Sequence, residues 1–218
     1  MQDYKARFLE LAFAHGALKL GRFTLKSGRA SPYFFNLGAI ATGSGLAQLA
    51  ACYADALEQS GIACDGLFGP AYKGIPLAAT LACEMARRER SLGFAYDRKE
   101  AKDHGEGGNL VGQVAGRMVI VDDVITAGTA VRAAMATLRA SGAEPVVLLV
   151  ALDRQERGTG QQSAIQELAA EGIPTVSVCT LADLLGYLQA GDADPKTLAA
   201  IEAYRACYGE GDGSQSSR

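Results

Sequence analysis

From Gly61 to Val178 the chain repeats one theme: a short apolar run, a Gly-rich loop, then a helical stretch. The runs are Leu67-Phe68, Leu92 to Tyr96, Met118 to Val121, Val146 to Leu152 and Thr175 to Val178. Helical patterns cover Ile75 to Arg90, Thr129 to Ser141 and Ser163 to Glu171. Such alternation predicts βαβ units, because parallel neighbours need a long crossover, usually a helix. Runs that are apolar at every position, such as Met118-Val119-Ile120-Val121, suit strands covered on both faces. The expected fold is α/β, with a central, mostly parallel sheet flanked by helices. In that class ligands bind at the carboxyl ends of the strands, so the loops after the apolar runs are where a site is expected.

Ahead of this repeat stand an amphipathic helical pattern from Gln2 to His15, closed by Gly16, and two extended stretches, Lys19 to Leu25 and Ser31 to Asn36, joined at Ser27-Gly28-Arg29. Gly43-Ser44 opens a helical pattern that runs to Ser60. Thr197 to Tyr208 reads as a final helix, and Gly209 to Arg218, made of Gly, Ser and acidic residues, reads as a flexible tail. With 218 residues, 49% of them hydrophobic, the chain has material for one packed core, so residues 1–208 are expected to form a single domain.

Twenty-one Lys and Arg against 24 Asp and Glu give a net charge of -3, which lacks the broad positive footprint of a duplex-binding protein. Val146 to Leu152 falls far short of the roughly 18 apolar residues of a membrane span. Met1 to Lys5 carries no apolar leader. Neither nucleic acid nor a membrane is expected as a partner, and the expected location is the cytoplasm. Cys52, Cys64, Cys83, Cys179 and Cys207 are odd in number and form no CxxC pair, so they are expected to be reduced core residues. A nucleophilic cysteine would need a His beside it, and neither His15 nor His104 can be set beside one from sequence.

The most informative segment follows Val121. The apolar strand runs into Asp122-Asp123-Val124-Ile125-Thr126-Ala127-Gly128-Thr129, and a helix begins. Backbone N–H groups in a small-residue turn that opens a helix converge on one point, and the helix dipole adds positive potential, which suits a phosphate. Two carboxylates just before that turn would repel a phosphate unless they face another part of the same ligand. There they would accept from sugar hydroxyls or hold Mg²⁺. A sugar phosphate meets both demands. The competing reading is that Asp122 and Asp123 cap the next helix, although a cap needs one side chain, at the residue that opens the helix. Nucleotide signatures are missing: there is no GxxxxGK[ST], and Gly43-Ser44-Gly45 is followed by Leu46-Ala47-Gln48, not by the GxGxxG pattern.

Val119 to Ala130 resembles the phosphoribosyl pyrophosphate (PRPP) motif of the type I phosphoribosyltransferases, in the form found in the orotate phosphoribosyltransferases. The resemblance runs from about Tyr4 to Tyr208. It includes Ser31-Pro32-Tyr33-Phe34-Phe35-Asn36, Phe68-Gly69-Pro70-Ala71-Tyr72-Lys73-Gly74 and the stretch from Arg98 to Gly108. It implies the type I phosphoribosyltransferase fold, with a small N-terminal hood from about residues 1–40 plus C-terminal segments. It also implies transfer of ribose 5-phosphate from PRPP to orotate, giving orotidine 5-phosphate and pyrophosphate, in the synthesis of UMP.

The resemblance implies a role for each matched residue. The 5-phosphate would lie in the turn Val124-Ile125-Thr126-Ala127-Gly128-Thr129-Ala130, and Asp122 and Asp123 would take the ribose hydroxyls. The pyrophosphate would meet Tyr72 and Lys73. Read alone, Pro70 to Gly74 is ordinary loop punctuation. Arg98, Lys99, Lys102 and His104 would close over PRPP as a mobile cationic flap, completed across a homodimer. Read alone, Asp97 to Asn109 has no apolar periodicity and is a solvated loop. Lys102 and Asp123 would be the catalytic pair. Orotate would sit against Lys26, Phe34, Phe35, Thr126 and Arg154, with Lys26 also reaching PRPP. Read alone, Phe34 and Phe35 are core packing, since adjacent strand residues face opposite sides and at most one ring can stack on a ligand, and Arg154 is a surface charge. His15 and Tyr33 are expected to be structural. Mg²⁺ would be the cofactor, held mainly through PRPP, with Asp122 or Asp123 as the protein's contribution. Two rival readings remain: transfer to another base, disfavoured because a neutral base offers Arg154 no carboxylate, and a nucleic-acid-binding regulator, disfavoured by the net charge.

Overall fold

The computed structural model describes residues 1–25, 28–102, 108–158, 160 and 162–210, and the side chains of all of these except 99–102 and 108. Helix α1 (Asp3–Ala14) is followed by strands β1 (Leu18–Thr24) and β2 (Ala30–Phe35), which form a separate antiparallel pair, and then by α2 (Gly43–Gln59). The main body follows in the order β3 (Gly66–Gly69), α3 (Gly74–Arg87), β4 (Gly93–Lys102), β5 (Gly108–Gly112), β6 (Arg117–Val124), α4 (Thr129–Ala140), β7 (Glu144–Asp153), α5 (Ala164–Ala170), β8 (Thr175–Thr180), α6 (Leu181–Ala190) and α7 (Pro195–Tyr208).

Strands β3 to β8 form one sheet in the order β5-β4-β3-β6-β7-β8. All neighbours are parallel except β4 and β5. From β3 the chain crosses through α3 to β4 on one side, then returns past β5 to β6 on the other. The strand order therefore reverses between β3 and β6, and an open α/β sheet of this kind leaves a crevice at the carboxyl ends of those two strands.

The period of two along each strand divides the core. Val119 and Val121 of β6 and Val147, Leu149 and Ala151 of β7 face a core built with α1, α2, α3, α6 and α7. Met118, Ile120, Leu148 and Val150 face a second core closed by Val131, Ala134, Met135 and Leu138 of α4 and Leu168 of α5. The continuous apolar runs are thus strands with both faces covered.

The hairpin is held from the C-terminal side. Tyr33 of β2 meets Tyr204 of α7 edge-on, with ring centroids 5.9 Å apart. The end of α7 is fastened by pairing: the Arg157 N–H donates to the Tyr208 carbonyl at 2.9 Å and the Glu210 N–H to the Gln155 carbonyl at 2.9 Å. Residues 211–218, read above as most of a tail, lie outside the described residues. Among the described residues no helix is long and apolar enough to cross a membrane.

Three expectations are corrected. The stretch from Asp97 to Asn109 is not loop throughout: β4 continues to Lys102 and pairs antiparallel with β5, with Asp97 opposite Leu110 and Lys102 opposite Gly108. A hairpin at the sheet's edge is held by ladder hydrogen bonds and tolerates charge, so it leaves no apolar alternation to read. Helix α6 was not anticipated, although its capping box is written in Thr180 and Asp183: the Thr180 hydroxyl accepts from the Asp183 N–H at 3.1 Å, and Asp183 accepts from the Thr180 N–H at 2.9 Å. Lastly, all five cysteines are free, but Cys83 and Cys207 are exposed. Cys83 lies off the buried stripe of Leu77, Leu81 and Met85 on α3, and Cys207 sits in the last turn of α7.

Candidate active site

Strand β6 delivers two carboxylates to the crevice. Tyr53 of α2, fully buried, donates its hydroxyl to the Asp122 carbonyl at 2.9 Å and anchors the strand end. The Asp122 carboxylate accepts from the Asp123 N–H at 2.8 Å. Burial pushes the Asp122 carboxyl up to about 6, and the neighbouring Asp123 charge adds to the effect. Asp123 is 6% exposed and is ion-paired with Lys73. Neither carboxylate caps α4, whose N-cap is Gly128 with φ +72 and no side-chain cap bond. The helix-cap reading of the two aspartates is thereby removed.

The turn that follows has the form expected of an anion seat. Val124 makes the last rung between β6 and β7, opposite Leu152, and Ile125 packs towards the second core. Thr126, Ala127, Thr129 and Ala130 are exposed. Among the described residues the N–H groups of Thr126, Ala127 and Gly128 have no acceptor. These amides, with the start of α4 behind them, form a cluster of unspent donors suited to a phosphate.

The loop after β3 lies across the crevice. A Cβ on Gly69 would stand 2.4 Å from the Gly74 carbonyl oxygen, and one on Gly74 would stand 2.6 Å from the Val121 carbonyl oxygen. Only glycines let the start of α3 close against the end of β6 in this way. The Ala71 N–H donates to Asp97 of β4 at 2.6 Å, Tyr72 is 63% exposed, and the Lys73 side chain reaches across to Asp123. The loops after β3 and β6, far apart in sequence, thus share one ion pair.

The third group lies at the end of β7. Asp153 accepts from the Gln155 N–H at 2.8 Å and shapes the turn that carries Arg154. Arg154 Nε stands 3.1 Å from the Glu156 carboxylate and donates to the Tyr33 hydroxyl at 3.4 Å, and its guanidinium lies 5.5 Å from the Tyr33 ring centroid. Tyr33 in turn donates to Glu156 at 3.0 Å. Arg154 is therefore a held, largely buried cation rather than a loose surface charge. The two phenylalanines divide as strand geometry requires: Phe34 is exposed beside Phe23, and Phe35 turns to the core side against Phe8.

The structure thus brings Asp122, Asp123, Val124 to Ala130 and Lys73 together, and holds Arg154 beside Tyr33. Arg98 lies on β4. Lys26 and His104 lie outside the described residues, and for Lys99 and Lys102 only the backbone, within β4, is described. Sequence reasoning missed Tyr53, Asp97 and Glu156. Glu156 carried a faint signal, a carboxylate two residues from Arg154, whereas Tyr53 and Asp97 act from elements distant in sequence. Among the described residues no three His, Cys, Asp or Glu side chains gather into a metal site. Asp122 and Asp123 offer two carboxylates, one already engaged by Lys73. Such a partial donor set fits a divalent ion that arrives with most of its oxygen ligands on the substrate.

Comparison with known proteins agrees with this geometry. Residues 38–168 match the phosphoribosyl transferase domain family. The chain is 55% identical over 214 residues to the orotate phosphoribosyltransferase of Stenotrophomonas maltophilia (strain K279a), covering 96% of this chain and 98% of the relative. It is 57% identical over 215 residues to that of Xanthomonas axonopodis pv. citri (strain 306), with the same coverage of both chains. The crystal structure of orotate phosphoribosyltransferase from Francisella tularensis matches with a TM-score of 0.86 at 36% identity, over 93% of this chain and 99% of that one. The chain belongs to the phosphoribosyl transferase domain family and, within it, to the orotate phosphoribosyltransferases.

Proposed function

We propose that the chain transfers the 5-phosphoribosyl group of PRPP to orotate: the bond from ribose C1 to the pyrophosphate oxygen breaks, a bond from C1 to orotate N1 forms, and the N1 proton is released. The observation that carries this reading is the pairing, at the end of β6, of two adjacent carboxylates with a turn of unspent N–H donors. The turn from Val124 to Ala130 takes the 5-phosphate and Asp122 and Asp123 take the ribose hydroxyls. Lys73, Tyr72, Arg98, Lys99, Lys102 and His104 take the diphosphate, and Lys26 contacts both substrates. Orotate lies against Phe34, Thr126 and Arg154, whose guanidinium suits a planar carboxylate, while Phe35, turned to the core against Phe8, supports that end of β2.

Cleavage at C1 puts positive charge on the sugar ring and negative charge on the leaving group. Catalysis by this chain is then mainly electrostatic. Asp123 stands beside the ring where positive charge develops, and Lys102, Lys73 and Arg98 meet the charge that grows on pyrophosphate. Mg²⁺ is the proposed cofactor; when bound it would neutralise diphosphate charge, with Asp122 or Asp123 as the protein's contribution. The functional unit we propose is a cytoplasmic homodimer in which the β4–β5 hairpin serves the partner's site.

The test is to mix the protein with PRPP, Mg²⁺ and orotate and follow the orotate absorbance, then to repeat with uracil, with hypoxanthine and with EDTA. Turnover with orotate alone, abolished by EDTA and restored by Mg²⁺, is the expected result. Equal turnover with uracil would refute the role of Arg154, and no turnover with any base would refute the reading as a whole.

A further inference from the structure

Arg132, in the first turn of α4, spends its guanidinium in an unusual way. Nη1 donates to the Ala127 carbonyl at 3.0 Å, Nε to Glu171 at 2.7 Å and Nη2 to Glu167 at 2.9 Å. One edge of the fork therefore holds the backbone of the anion seat, and the remaining nitrogens are held by α5 and the residue that ends it. Gly128 makes the arrangement possible, since a Cβ there would stand 2.9 Å from Nη1.

We propose that Arg132 is a positioning residue for the phosphate of PRPP, acting through the Ala127–Gly128 peptide. The inference rests on the functional reading above, because it concerns the same seat. A trans peptide is planar, and its C=O and N–H point in opposite directions. With the Ala127 oxygen pinned to Arg132, the Gly128 N–H must point away from the guanidinium, and among the described residues it, like the N–H groups of Thr126 and Ala127, has no acceptor. A loop with glycine at positive φ has an otherwise soft peptide plane at this point. Glu167 and Glu171 complete the device by fixing the guanidinium from its far side in a planar, multidentate geometry that lysine cannot reproduce. Arg132 also neutralises these two carboxylates, which would otherwise disfavour a phosphate nearby.

The test compares wild type, Arg132→Lys, Arg132→Met and the double variant Glu167→Gln, Glu171→Gln. Two readouts are used: the dissociation constant of inorganic phosphate, by calorimetry or ³¹P NMR, and the separate KM values for PRPP and orotate. Loss of one charge-assisted hydrogen bond that orients a donor predicts about tenfold weaker phosphate binding and about a tenfold higher KM for PRPP in Arg132→Met. The KM for orotate should stay within about twofold, and Arg132→Lys should recover only part of the loss. The double variant keeps Arg132 and should shift the same two quantities by about two- to threefold, so the idea stays testable if Arg132→Met does not fold. A fall in Tm with unchanged phosphate affinity and PRPP KM, or equal rises in both KM values, would overturn the proposal. Phosphate binding is measured without turnover. A wild-type protein that binds phosphate through Arg132 yet turns over no PRPP would therefore refute the functional reading and leave this one standing.

Discussion

Asp122→Asn should change the pH dependence of stability in a direction fixed by the site. The Asp122 carboxyl is raised from an ordinary 3.8 to about 6, first by burial and then by the Asp123 charge. Between these values the unfolded chain has released the proton while the folded protein still holds it, so the folded state binds more protons and stability falls as pH rises. This contribution is fully present below about 3.8 and is lost as pH rises through about 6. The gap corresponds to a cost on the order of 2–3 kcal/mol for holding the ionised carboxylate at neutral pH. Asparagine is of similar size, keeps an oxygen to accept from the Asp123 N–H, and does not ionise. The variant should thus gain on the order of 2–3 kcal/mol relative to wild type between pH 4 and pH 7.5. The chain has no Trp, so urea unfolding is best followed by far-UV circular dichroism. Titrating groups that do not interact with Asp122 cancel in the difference between the two proteins. Parallel stability curves, differing by less than about 0.5 kcal/mol in their change over this range, would refute the burial argument.

Three further outcomes are expected. Asp123→Asn should lower kcat/KM by about 10–100-fold through loss of charge-assisted hydrogen bonds to the sugar. It should move the urea midpoint little, because the released partner, Lys73, is 63% exposed and stays solvated; a large loss of stability with normal kinetics would contradict this. Gly74→Ala should destabilise the protein by roughly 2 kcal/mol or more, since the new methyl would meet the Val121 carbonyl at 2.6 Å; a wild-type unfolding curve would contradict the described packing of α3 on β6. Arg154→Gln should raise the KM for orotate by about tenfold or more and leave that for PRPP nearly unchanged, and a rise in the PRPP value alone would reassign the residue.

The parts legible from sequence were those whose signal is local. Met118 to Val121 announces a doubly covered strand because every residue is apolar, and the turn from Thr126 to Thr129 announces a backbone cradle because it lacks bulk and precedes a helix. The β4–β5 hairpin was not legible, since pairing between Asp97 and Leu110 is a property of two backbones and leaves no periodicity in Arg98 to Lys102. Contacts across the fold were equally hidden. Nothing in the string sets Tyr53 beneath Asp122, Lys73 against Asp123, or Tyr33 between Arg154 and Glu156; these depend on which loops the strand order brings to one crevice. Cys83 and Cys207 misled because cysteine is a buried residue on average, and averages do not say which side of a helix a position takes.

The contact between Lys73 and Asp123 has a consequence for how a donor is admitted. On the roles assigned here, the ammonium belongs to the leaving half of the donor and the carboxylate to the half that is kept, and in this conformation each satisfies the other. Free pyrophosphate would draw away the ammonium and leave the buried Asp123 carboxylate without its mate, whereas ribose 5-phosphate would release the exposed Lys73 to solvent. An intact donor would compensate both at once, so on the proposed roles the couple would favour an incoming molecule that still carries the bond to be broken.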